Sequence, residues 1–233
     1  MSKSPIRSDG YGVVPQGRTG WRTPKKIRRA RVLDDDHVDR VIQHIRATSN
    51  SPVSDELKVL LSVYAGLRAC EIAAMTLDCV VDADGRIGKT IVISRHAAKG
   101  GRERIIPMHP QIRDALIRFR KVHPEIRFLS FSARRGYIRP QKPSAIAAWF
   151  RRLYEQVGLQ GCSSHSGRRT FITRMARMAN LHGNSLRDVQ LLAGHAQLET
   201  TAAYIDSSHA LYGLVAALGS PGKSTPSASE ARA

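Results

Sequence analysis

Cysteine is scarce: Cys70, Cys79 and Cys162 are the only three in 233 residues, and no two of them form a C-x-x-C pair. So sparse and odd a set argues against a disulfide framework and against structural zinc. Small buried hydrophobes in a reducing compartment account for the cysteines better. Acidic residues are also few, with 19 Asp and Glu against 37 Lys and Arg. Their densest run, Asp34-Asp35-Asp36, suits a helix N-terminus, so the carboxylate cluster of a metal-dependent nuclease is missing. His165, His182 and His195 have no ligand spacing such as H-E-x-x-H, and no metal or other cofactor is expected. No apolar run is long enough to span a bilayer, and none follows the N-terminal Lys and Arg as a secretory signal requires. A membrane partner is therefore not expected.

Positive charge is what the chain has in excess. A formal charge of +18 points to a polyanionic partner, because each Lys or Arg that neutralises a phosphate releases condensed counterions. Basic surface alone also suits RNA or an anionic membrane; a cytoplasmic DNA-binding protein is the default expectation. The hydrophobic content of 42% is ordinary for a globular chain of this length, which can bury a sizeable core.

Three segments are expected. Residues 1–31 form a basic arm with nine Lys or Arg against one acid, Asp9, and with glycines and prolines interrupting any period. Its densest patch contains Lys25, Lys26, Arg28 and Arg29. Such a composition fits a solvated leader, and it equally fits an arm that lies along phosphates or in a minor groove. Residues 32–218 form the folded domain, and 219–233 a polar tail. Within the domain, Val38, Val41, Ile42 and Ile45 recur at helical spacing. Asn50-Ser51-Pro52 breaks that helix, Ser54 can cap the next, and Gly66 ends it. Arg68 falls in the turn before a third helix, Glu71 to Met75. The β-branched runs at Thr90–Ile93 and Arg104–Ile106 flank Lys99-Gly100-Gly101 as a hairpin. Further helices are predicted at Pro110–His123, Ser144–Tyr154, from Arg168 through Met175, at Leu186–Ala193 and at Ala210–Leu218. The fourth of these five runs, Leu186–Ala193, is opened by a Ser185/Asp188 capping box and closed by Gly194. The fold class is α+β, mainly helical with one small antiparallel sheet.

Six residues carry candidate chemistry: Arg68, Lys99, His165, Arg168, His195 and Tyr204. Arg68, three positions before Glu71, is either a surface ion pair or a guanidinium presented to phosphate from a tight turn and oriented by that carboxylate. Lys99 alone reads as a solvated turn residue; its functional role would be to protonate a departing 5′ oxygen, with Arg102 and Arg104 adding phosphate contacts. His165 and Arg168 stand three apart at an expected helix start, beside Arg169, where an anion is favoured. His195 follows Gly194 at a helix end, where it could instead satisfy terminal carbonyls. Tyr204 draws its claim from lying nine positions after His195. Two arginines can clamp a phosphodiester, lysine and histidines can move protons, and a tyrosine can attack. Breaking and rejoining a nucleic-acid strand uses all six.

As a set these residues resemble the catalytic domain of the tyrosine recombinase (phage integrase) family over roughly residues 32–218. Ala65-Gly66-Leu67-Arg68-Ala69-Cys70-Glu71-Ile72 is similar to its first-arginine motif, Lys99-Gly100-Gly101-Arg102-Glu103-Arg104 to its lysine hairpin, and His165-Ser166-Gly167-Arg168 to its H-x-x-R motif. Ala193-Gly194-His195 and Tyr204 complete the match. Gly167 stands where the family favours leucine. Family members usually carry a separate N-terminal clamp domain, and the short basic arm makes this chain resemble the minimal recombinases of fimbrial switches.

The resemblance implies that Arg68, Arg168 and His195 hold the non-bridging phosphate oxygens while Tyr204 forms a 3′-phosphotyrosyl link, without ATP or metal. His165 would act as base and Lys99 as acid. It implies double-stranded DNA as substrate, a homotetramer on paired sites, and a DNA-bending accessory protein as a candidate partner. The expected outcome is integration, excision or inversion of a DNA segment. The alternatives are a type IB topoisomerase, whose motifs match less well, and a DNA-binding regulator that kept the fold without strand exchange.

Overall fold

A computed structural model of the chain describes residues 30–95, 103–134 and 137–203. Eight α-helices and two short antiparallel hairpins are present among them. Helix α1 (Asp35–Thr48) opens where the acidic run predicts, with Asp34 accepting the His37 N–H at 2.8 Å. Helix α2 (Pro52–Tyr64) begins earlier than the Ser54 cap expected from sequence: Ser51 is its N-cap and Pro52 its first residue. Proline's missing N–H costs nothing in the first turn, so the residue that stops α1 also starts α2.

Helix α2 is the centre of the fold, packing against α1 and against α3 (Ala69–Ala74), α4 (Pro110–Val122) and α6 (Ser166–Met178). Leu57, Val59, Leu60, Leu61 and Val63 point in several directions and all are buried, as expected of a helix surrounded by others. Burying each such side chain contributes about 1.5–3 kcal/mol. The approach of α6 to α2 leaves no room at Gly167, where an added Cβ would overlap the Ser62 side chain and sit 3.1 Å from its backbone carbon. That crowding explains glycine where the resemblance leads one to expect leucine. Gly66, at φ +65°, turns the chain out of α2, and its missing Cβ makes space for the Phe171 ring.

Strands β1 (Thr90–Ile93) and β2 (Arg104–Pro107) pair antiparallel as predicted, Ile93 opposite Arg104. A second hairpin was not expected: β3 (Phe131–Arg134) pairs with β4 (Tyr137–Pro140), so there are two small sheets rather than one. Helix α5 (Pro143–Gln156) follows, with Ile146, Phe150, Leu153 and Tyr154 buried and Trp149 half-buried. Helix α6 starts at Ser166, two residues before the predicted start, and His165 is its N-cap. Helix α7 (Leu186–Ala193) matches its prediction, with the Ser185 N–H and hydroxyl both donating to Asp188 and Gly194 closing it at φ +63°. A five-residue helix, α8 (Leu198–Ala202), was missed. The predicted helix at Ala210–Leu218 lies outside the described residues. Phe171, Ile172, Val189 and Ala193 form a small separate core between α6 and α7, which fixes the Gly194-His195 turn against α6.

Candidate active site

Arg68 is the N-cap of α3, and Glu71 one turn later holds it twice. The Glu71 carboxylate accepts the Arg68 backbone N–H at 2.8 Å and its Nη1 at 3.0 Å. The same carboxylate is fully buried and accepts Nη1 and Nη2 of Arg104, each at 2.9 Å. Burial pushes the Glu71 carboxyl up, but the Arg104 fork and the Arg68 contacts outweigh it, and the net shift is downward. One carboxylate thus orients two guanidiniums. Arg104 also donates through Nε to the Leu192 carbonyl at 3.0 Å, and its chain passes 3.1 Å from where a Cβ on Gly194 would sit. The residue expected to touch DNA phosphates is therefore turned inward, joining β2 to α3 and to the end of α7.

Arg168, in the first turn of α6, is buried. Nη1 donates to the Gly66 carbonyl at 2.7 Å and Nη2 to the Ala193 carbonyl at 2.6 Å. Its fork ties the turn before Arg68 to the turn before His195. His195 is buried too, its backbone held from both sides by Gln190: the His195 N–H donates to the Gln190 carbonyl, and Gln190 Nε2 donates back to the His195 carbonyl, both at 3.1 Å. Nδ1 of the ring lies 2.9 Å from the Thr201 hydroxyl. Burial first, and then the positive charges of Arg168, Arg68 and Arg104, push the imidazole down to about 4, so it is neutral at physiological pH.

These groups meet at one open cleft of about 400 Å³, lined by Arg68, His165, Arg168, Arg169, His195, Thr200 and Ala203, with Ala30 at its edge. His165 is exposed there, at the N-terminus of α6. Three arginines, two histidines and no acid line the cleft among the described residues. Such a surface suits an anion with several oxygens, and bidentate guanidiniums suit phosphate above others. Among the described residues no three His, Cys, Asp or Glu gather as a metal site, and no helix is long and apolar enough to cross a membrane.

Four of the six candidate residues, Arg68, His165, Arg168 and His195, are thus brought together. Lys99 and Tyr204 lie outside the described residues, as do Lys25, Lys26, Arg28, Arg29 and Arg102. Two participants escaped the sequence reading. Arg104 is expected on DNA and is found on Glu71, and Thr201, three positions before Tyr204 in sequence, carries no sequence signal.

Residues 31–210 match the Phage integrase family. The chain is 27% identical over 203 residues to the tyrosine recombinase XerA of Pyrococcus horikoshii, covering 87% of this chain and 65% of that protein. It is 28% identical over 187 residues to the tyrosine recombinase XerD of Shewanella oneidensis, covering 74% of this chain and 55% of that one. It thus spans less than two thirds of the length of either relative. Its fold is similar to that of the Tn1549 transposon integrase solved in complex with transposon right-end DNA, with a TM-score of 0.63 over 82% of this chain and 67% of that one at 17% identity. Arg68, His165, Arg168 and His195, gathered in the cleft, are among the residues through which the sequence resembles that family, the match covers most of the chain, and the chain belongs to the phage integrase family.

Proposed function

We propose that the chain is a site-specific DNA recombinase that cuts and rejoins strands through a 3′-phosphotyrosyl link on Tyr204. The observation that carries this reading is the convergence of Arg68, Arg168 and His195 on one cleft lined, among the described residues, by no carboxylate. A phosphodiester seated there takes the guanidiniums and the imidazole on its non-bridging oxygens, where negative charge grows in the transition state. Tyr204 attacks phosphorus in line, its proton passing to His165, and the bond to the 5′ oxygen breaks as Lys99 supplies a proton to that oxygen. A 5′ hydroxyl from the partner strand then attacks the phosphotyrosine and restores the diester. The phosphoester bond is exchanged rather than hydrolysed, so the rejoining needs no external energy source.

Exchange between two duplexes calls for four active sites, hence a homotetramer on paired DNA sites, and an accessory protein that bends DNA would bring the sites together. Ala30, next in sequence to the basic patch, lines this cleft. Lys25, Lys26, Arg28 and Arg29 are therefore offered as phosphate contacts flanking the scissile bond, with Arg102 and Arg169. The helices at 144–154 and 168–178 are the candidates for groove readout.

Covalent trapping tests the reading. The protein is incubated without metal with nicked suicide duplexes drawn from DNA flanking its gene, and a DNA-linked band is sought on a denaturing gel. The band is expected from the parent chain and not from Tyr204→Phe, whose DNA affinity should stay nearly unchanged. Tight binding with no band from either protein would overturn the recombinase reading in favour of a DNA-binding regulator.

A further inference from the structure

We infer that Thr201 is a positioning residue: its hydroxyl donates to Nδ1 of His195 and thereby places the ring proton on Nε2, toward the cleft. The two atoms are 2.9 Å apart. Thr201 is fully buried and His195 is 6% exposed, so water competes little for either. A buried hydroxyl left without a partner would cost about 1–3 kcal/mol, and among the described residues the Thr201 side chain has only His195 as a hydrogen-bond partner.

The direction of this bond decides what the imidazole can do. The ring is neutral, because burial and the guanidiniums of Arg168, Arg68 and Arg104 oppose a further positive charge. A neutral imidazole carries one N–H, on one nitrogen or the other. With the proton on Nδ1, the ring would donate to Thr201 and turn a lone pair at Nε2 toward the phosphate oxygens, which repel it. With the proton on Nε2, Nδ1 accepts from Thr201 and the ring donates to a phosphate oxygen. Only the second arrangement stabilises an anion, and only it gives the buried Thr201 O–H an acceptor among the described residues.

The placement of Thr201 adds a link along the chain. It belongs to α8, which ends at Ala202, two positions before Tyr204. Thr200, its neighbour, lines the cleft. The segment leading into the nucleophile is therefore fastened to His195 by the same hydrogen bond that sets the tautomer. A shift of α8 would release both together, so the donor to the phosphate is in place only while that segment is docked.

The catalytic consequence rests on the recombinase reading; the tautomer does not. The first test is therefore a ¹⁵N spectrum of the imidazole nitrogens in the full-length protein at neutral pH, which assigns the protonated nitrogen without any DNA. The Nε2–H form is expected for the parent, and a mixture of forms for Thr201→Val. In single-turnover trapping with the suicide duplex, Thr201→Val should slow adduct formation roughly 10- to 100-fold, as loss of a group that orients a functional histidine does. Thr201→Ser, which keeps the donor, should restore most of that rate and the parent spectrum. An Nδ1–H parent, or a Thr201→Val protein with the parent's spectrum and rate, would overturn the inference. Absence of any adduct from the parent would count against the recombinase reading alone, with the spectrum still deciding the tautomer.

Discussion

Two clefts on this domain differ in a way that size does not explain. The larger, about 710 Å³, lies between α1, α2, β3 and α5 and is lined by His44, Asp55, Lys58, Trp149 and Arg152 among others. Its most buried cation is already answered from within: Lys58 Nζ lies 2.6 Å from Asp55, 3.3 Å from Gln141 Oε1 and 4.0 Å from the centroid of the Trp149 ring. The smaller cleft gathers Arg68, Arg168 and Arg169 with two histidines and, among the described residues, is lined by no acid. The Glu71 carboxylate lies behind the wall and serves Arg68 and Arg104 at once. A folded chain tolerates buried positive charge when an anion answers it. In the larger cleft an acid of the lining answers the cation, whereas the described lining of the smaller one turns its cations toward a space that suits an anionic substrate.

The largest expected effect tests that contrast directly. Arg168→Ala should lower single-turnover adduct formation by at least roughly 10²–10³-fold, the loss typical of removing one preorganised donor from an oxyanion site. The gel assay reads it, and a rate near the parent's would mean that the smaller cleft is not where phosphate sits. Glu71→Gln should act next, mainly on stability. It leaves the buried guanidinium of Arg104 and the partly exposed one of Arg68 without this counter-charge and turns an amide N–H₂ toward one of them. Breaking a buried pair in this way costs about 3–5 kcal/mol, visible as a lower urea midpoint. A midpoint unchanged from the parent would show that Glu71 does not carry the charge of Arg68 and Arg104.

Sequence pattern exposed most of the frame and the outline of this site, and its failures share a cause. Periodic apolar residues marked α1, α4 and α5, and the Ser185/Asp188 pair with Gly194 marked both ends of α7, because those signals are local. The hairpin β3–β4 was illegible because all of Tyr137–Pro140 is exposed, so no face alternates between apolar and polar. Helix α8 is too short for its period to be seen. Arg104 looked like one more surface cation, since its partner Glu71 is 33 positions away and nothing local predicts that the side chain turns inward. Thr201 was hidden for the same reason: a threonine in a short polar run acquires meaning only when folding sets it against His195. Residue identity revealed the reactive groups; the groups that hold them in place depend on contacts distant in sequence.

A smaller effect separates the clefts by pH. The imidazole of His195 falls from its usual 6.5 to about 4 on folding, so between those values the unfolded chain binds the proton more readily than the native one. Stability contributed by the neutral ring is complete above about pH 6.5 and is lost progressively as pH falls to 4. The lowered carboxyl of Glu71 acts in the same sense, its contribution lost as pH falls through its folded value. Thermal melts should therefore show Tm falling across this window, and His195→Gln should flatten the fall. An equal fall in that variant would assign it to other groups.

The smallest expected effect is at Lys58. Burial lowers its ammonium more than Asp55 raises it, so the net shift is downward, and at neutral pH the charge is held in place at a cost. Replacing it with methionine keeps most of the stem against Trp149 and removes that cost. Asp55 loses its cation, but it is partly exposed and keeps the Ser49 hydroxyl as a donor. Lys58→Met should accordingly lie within about 1 kcal/mol of the parent by urea unfolding, with DNA binding and adduct formation unchanged. A full loss of cleavage at parental stability would show that the larger cleft takes part in the reaction. Unchanged cleavage, set beside the collapse expected for Arg168→Ala, would locate the function in the cation cluster of the smaller cleft.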